Sequence, residues 1–256
     1  MANLIRMDVY RITKSKSFWV CLIIAAALAL IATPFEKLMY TLARALSDEA
    51  GSFDNTVNFS KLISYPFALL NAMLALLSAS SFFYADQENG YIKNIAGQMP
   101  KKGYTVLSKF IAVGPHNLIF MVTCLIAGLL GTLPFRSVIF DGAILEGIGR
   151  FFLAFLLMQA LCSILLFAAT GLANRSFGTV LAVLFGTGLL ALVYMGIDSG
   201  LNQIFTKKSF SIAEYMPDQL LGDTSASMLR CLIVSIITCA IFLPLTIRII
   251  DKKDVK

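Results

Sequence analysis

Two long apolar runs on either side of one polar stretch decide what this chain can fold into. Leu62 to Phe83 carries no charge, and Phe110 to Leu133 carries only the lone His116. About 20 apolar residues suffice for a helix to cross the hydrocarbon core of a bilayer. Composition agrees: 14% of residues are charged, against roughly 25% in soluble domains. We therefore read an all-α polytopic membrane protein, one transmembrane domain over residues 1–256. All five cysteines fall inside apolar runs without metal-ligand spacing, so they read as small buried hydrophobes.

Taken in order, residues 2–16 form a basic amphipathic segment. Ile5, Val9, Ile12 and Lys16 share one helical face, with Arg6, Tyr10, Arg11 and Lys14 around the other. That suits an interfacial helix with anionic membrane lipids under its basic side chains. The next run contains Ala-x-Ala within Ala25 to Ala29, but Leu30-Ile31-Ala32 continues it, so it is kept as a span rather than a cleaved signal. Six spans are expected: Phe18–Thr33, Leu62–Tyr84, Phe110–Leu133, Phe151–Ala173, Phe177–Ile197 and Met228–Ile247. Thr33-Pro34-Phe35-Glu36 reads as a capping box that starts a separate external helix through Leu38, Leu42 and Leu46 to Gly51. Gly114-Pro115 predicts a kink, Asn174-Arg175-Ser176 a tight turn, and Pro244 a break in the last span. Ser211-Ile212-Ala213-Glu214 reads as a second capping box ahead of Pro217.

Charge sets the topology. Thirteen of the 21 Lys and Arg lie in the segments that share a side with the termini. The positive-inside rule then puts both termini in the cytoplasm and makes 34–61 and 198–227 extracellular. The net charge of +6 is accounted for by this distribution, and no nucleic-acid partner is expected.

Three groups of residues are candidates for function. Asp86 can cap a short helix, with Glu88 near its N-terminus, inside a cytoplasmic loop at 85–105 that Gly97 and Pro100 break. Such a helix is either something for another protein to grip or a solvated connector. Gly178, Ala182 and Gly186 recur every four residues, a row that lets helices approach closely, whether within the chain or in a second subunit. Asn71, Ser78, Ser81 and Gln159 are polar points within spans, either lining a path or bonding neighbouring helices.

Catalytic signatures are missing. A single His excludes H-E-x-x-H, and neither G-x-S-x-G nor the G-x-x-x-x-G-K-[ST] phosphate loop occurs. No span carries a charge near its middle, Arg230 lying at an end and His116 close to one, which argues against self-powered transport. A pore or gate driven from the cytoplasmic face remains, beside a non-transporting membrane assembly factor or sensor.

The chain resembles the membrane subunits of ABC-2 type exporters, above all the small permeases of bacterial antimicrobial-peptide immunity and peptide-toxin export. The likeness rests on the opening Leu4-Ile5-Arg6-Met7-Asp8-Val9-Tyr10-Arg11, on Glu88-Asn89-Gly90 with Ile92, on Pro100-Lys101-Lys102 and Leu107-Ser108-Lys109, and on the tail Ile250 to Val255. It implies a coupling helix that includes Asp86, Glu88, Asn89, Gly90, Tyr91, Ile92 and Lys93. It further implies two separate ABC ATPase subunits that bind the ATP, no cofactor on this chain, and a second permease, identical or homologous. The expected cargo is a hydrophobic or amphipathic peptide exported across the bacterial plasma membrane; drugs or lipids are the alternative.

Overall fold

In a bilayer every backbone N–H and C=O must find its partner within the protein, so an apolar run crosses as a helix. The computed structural model describes residues 1–46, 53–64, 69–88, 102–172, 175–204, 211–223 and 225–252. Helix α1 (Ala2–Lys14) leads into α2 (Lys16–Leu46). Strand β1 (Thr56–Asn58), the short α3 (Phe59–Ser64) and α4 (Leu69–Glu88) follow. Next come α5 (Gly103–Thr132), β2 (Ser137–Ile139) and α6 (Ile144–Leu172). The remaining helices are α7 (Arg175–Thr187), α8 (Leu190–Ile204), α9 (Pro217–Gly222) and α10 (Met228–Lys252). Helices α2, α5, α6 and α10 are each long and apolar enough to cross a membrane. α7 and α8 qualify together as a bent pair, and α4 contributes the shorter apolar stretch Leu70–Ala85. The protein is thus an all-α polytopic membrane protein.

Two prolines, Pro34 and Pro244, behave differently from expectation. Pro34, Pro115 and Pro244 all lie inside helices. The external helix expected from Thr33 is the second half of α2, and α10 continues past Pro244 to Lys252. Proline denies a donor to the carbonyl four residues back, here Leu30. That carbonyl lies against the backbone of Gly131 in α5, where an added Cβ would come 2.9 Å from its carbon. Beside it Thr33 Oγ1 and Thr132 Oγ1 share a 2.9 Å hydrogen bond. Packing against α5 therefore carries α2 through its proline.

A break occurs instead where none was expected. The span read as Phe177–Ile197 bends by 76° between α7 and α8, with Gly188 at φ 69°. A positive φ leaves the right-handed helical region, which proline does not. The second span also differs: α3 ends at Ser64 and α4 begins at Leu69. Two short strands escape the all-α reading, pairing in parallel with Thr56 opposite Ser137 and Asn58 opposite Ile139.

Contacts show which helix ends lie together. At one end Ser108 of α5 donates to Asp8 of α1, Gly103 abuts Ile247 of α10, and Gly171 of α6 abuts Ile249. At the other end Ser60 donates to Asp141, and Arg150 at the start of α6 donates to the Ala226 carbonyl (3.4 Å) ahead of α10. The α8–α10 connector closes through Asp198 of α8, whose carboxylate accepts from Ile212 N (2.7 Å) and Ser211 Oγ (3.2 Å). The capping box expected at Ser211 is thus replaced by a residue from another helix. Glu214, its expected fourth member, pairs with Arg230 at 3.0 Å.

Candidate functional site

Asp86 was expected to open a new helix, but α4 runs through it to Glu88. Nothing in Leu69–Glu88 stops a helix, because it holds no Gly or Pro. The backbone of Asp86 and Glu88 therefore belongs to the last turn of α4 and not to a helix start. Nearby, Lys109 of α5, 7% exposed, places its Nζ 3.5 Å from the Phe83 carbonyl. Asn89, Gly90, Tyr91, Ile92 and Lys93 lie outside the described residues.

Packing holds the helices on both sides of that segment. On the α4 side Phe82, Phe83 and Tyr84 are buried. On the α5 side the leader helix does more than lie on a surface. Asp8 of α1 is 2% exposed, accepts a hydrogen bond from Ser108, and lies 3.5 Å from Arg11 of its own helix. Burying a carboxylate is costly unless it is bonded and paired. The contact thus fixes α1 against the first turns of α5. The sequence shows this signal only as a break in the pattern, since Asp8 lies between Ile5 and Ile12 on the apolar side of the leader.

The small-residue row has a definite neighbour. An added Cβ at Gly178 would come 2.7 Å from Tyr84 Cζ, and one at Gly186 would come 2.6 Å from Met73 N. Ala182 between them is fully buried. The row packs on α4 of the same chain, so it is not open to a second subunit.

The four polar residues of the spans divide. Ser78 Oγ lies 3.1 Å from His116 Nε2, whose Nδ1 is 3.0 Å from Asn117 Oδ1, and Asn117 Nδ2 donates to Cys162 Sγ (3.5 Å). This buried chain ties α4, α5 and α6 together, with the rings of Phe18 and Phe120 against His116. Ser81 donates to the Ser78 carbonyl at 2.8 Å. These serines act as links between and within helices. Asn71 Oδ1 and Gln159 Oε1 are buried without a hydrogen bond among the described residues. His116, placed near a helix end by sequence, lies well inside α5 because that helix begins at Gly103.

The family model for ABC-2 family transporter proteins matches residues 4–194, from the leader helix into α8. The chain belongs to this family. Among curated proteins the search finds no match. An ABC-2 membrane protein is a transport component embedded in the bilayer, and the family associates with ABC ATPase subunits. In this ABC-2 permease the matched region contains the Asp8–Ser108 contact, the α4–α7 packing and the bend at Gly188. Most of α8, with α9 and α10, lies beyond it.

Proposed function

We propose that this ABC-2 permease is the membrane half of an exporter energised by two separate ATPase subunits, which dock on the segment Asp86 to Ile95. ATP binds on those partners. A second permease, identical or homologous, completes the pathway, and its interface uses surfaces other than the Gly178–Gly186 row. Both termini face the cytoplasm of a bacterial cell, and the cargo is a hydrophobic or amphipathic peptide.

One observation carries the docking reading. The helices on either side of the segment are each clamped by another part of the chain: α4 by Lys109 and α7, α5 by Asp8 of α1 and by Ile247. A solvated connector needs no such support, whereas a segment that transmits a partner's movement does. Tyr91 and Ile92 supply the apolar anchors of the kind that dominate interface energy, and Glu88 and Lys93 orient the encounter. Converting both Tyr91→Ala and Ile92→Ala is expected to cost about 2 kcal/mol or more of docking, with membrane insertion intact. ATPase pull-down and transport, measured on the same protein, test this. Normal values of both would remove the assignment. For cargo, cells lacking the permease should become sensitive to an amphipathic peptide. Normal tolerance together with loss of a surface lipid or polysaccharide would refute the peptide reading.

A further inference from the structure

At the end of the molecule opposite the chain terminus, the last three turns of α2 carry Lys37, Tyr40, Thr41 and Arg44 on one helical face. With Phe53 and Asn55 these side chains line an open cleft of about 490 Å³. The Lys37 ammonium lies over Phe135 (5.2 Å) and Phe53 (5.9 Å), and Arg136 stacks on the same Phe53 ring at 4.4 Å. Among the described residues the nearby carboxylates are engaged. Glu36 pairs with Arg136 at 2.8 Å, and Asp54 accepts from Thr56 N and Oγ1 at 3.1 and 3.0 Å. Among the described residues Lys37 and Arg44 have no acidic partner, and both line the cleft.

Its depth follows from helix geometry. Trp19 is half exposed near the start of α2, with Nε1 donating to the Thr13 carbonyl at 2.9 Å, the amphipathic posture of an interfacial tryptophan. A hydrocarbon core of about 30 Å is crossed in roughly 20 residues at 1.5 Å each. Counting from Trp19, the opposite boundary falls beside Tyr40. The other face of this stretch supports the count, since Phe35, Leu38, Met39 and Leu42 are all at least half exposed and call for an apolar surrounding. Arg44 then lies one turn further out, within the head-group layer.

We infer that this cleft binds the phosphate head group of an anionic phospholipid in that leaflet. Phosphate is the anion concentrated at this depth, and a lysine, an arginine, a tyrosine and an asparagine lining one cleft provide the donors it needs. The site is independent of the docking reading and of transport direction.

The test places a photo-crosslinking p-benzoylphenylalanine at Ala45, which lines the cleft, in the full chain. The protein is reconstituted in vesicles of equal phosphatidylglycerol and phosphatidylcholine. Phosphatidylglycerol adducts should predominate, and the preference should fall about fivefold for each cation removed by Lys37→Gln and Arg44→Gln. Lys14→Gln, on the leader helix, should leave it unchanged. Adducts in the ratio of the bulk lipids would overturn the proposal. So would displacement of phosphatidylglycerol by millimolar inorganic phosphate, which would mark a site for a soluble anion. Equal loss with Lys14→Gln would show general surface attraction and overturn it as well.

Discussion

Replacing Gly186 by alanine separates an internal packing row from a subunit interface. The added Cβ would lie 2.5 Å from Met73 Cβ and 2.6 Å from Met73 N, whereas carbon contacts are comfortable at about 3.5–4.0 Å. The obstacle is backbone and its first side-chain carbon, which no rotamer change can move. α4 and α7 must therefore part by roughly 1 Å, a gap that forfeits a quarter to a half of each affected contact. An overpacking cost of about 1–3 kcal/mol follows. Equilibrium unfolding of the purified chain in mixed micelles reads this directly, alongside crosslinking between copies in membranes. Stability should fall while crosslinking between folded copies persists. Unchanged stability with lost crosslinking would refute the internal assignment and restore the row to a dimer face.

Three further outcomes are expected. Asp8→Ala removes the acceptor of Ser108 and a buried partner of Arg11, at a cost of about 1–3 kcal/mol; limited proteolysis near Lys14 should accelerate while the spans stay inserted. Ser78→Ala deletes one bond to His116, worth on average about 0.6 kcal/mol between membrane helices, so unfolding in micelles should show a smaller loss than His116→Ala, which also removes a ring packed on Phe120. Burial holds Asp218 above its ordinary 3.8, partly offset by hydrogen bonds from Gln219 and Tyr194. Its neutral form therefore favours the fold, a contribution complete below 3.8 and lost as pH rises through the raised value. Asp218→Asn should exceed the parent in stability at neutral pH and match it below 3.8, as read by thermal unfolding across that range.

What could be read from the residues follows from where the physics is local. Long charge-free runs become helices in any bilayer protein, and α2, α5, α6 and α10 grow from them. The errors arise where a local signal meets a tertiary one. Pro34 with Glu36 has the pattern of a helix start, yet the pattern cannot reveal that Gly131 will receive the Leu30 carbonyl. Gly188 looks no different in sequence from Gly178 or Gly186, but it alone among the described glycines adopts a positive φ. Asp86 has the chemistry of an N-cap, and the uninterrupted helix before it leaves no N-terminus there to cap. Asp8 carries its information in its neighbours: a carboxylate on the buried side of an amphipathic helix needs a partner, and Ser108 lies a hundred residues away.

The row of small residues has a mechanical consequence that a dimer interface would not. Gly178 fits the ring of Tyr84 near one end of α4, and Gly186 fits the backbone of Met73 near the other. With contact at both ends and Ala182 buried between, the pair cannot shear or separate without opening voids in a close-packed interface. A force on the last turn of α4 must therefore move α7 with it. Immediately beyond α7 the chain turns at Gly188 into α8, and α8 is tied to the connector through Asp198 and through Tyr194 to Asp218. The segment proposed to meet the ATPase is in this way joined, by packing along one helix pair and hydrogen bonds past one bend, to the far end of the molecule.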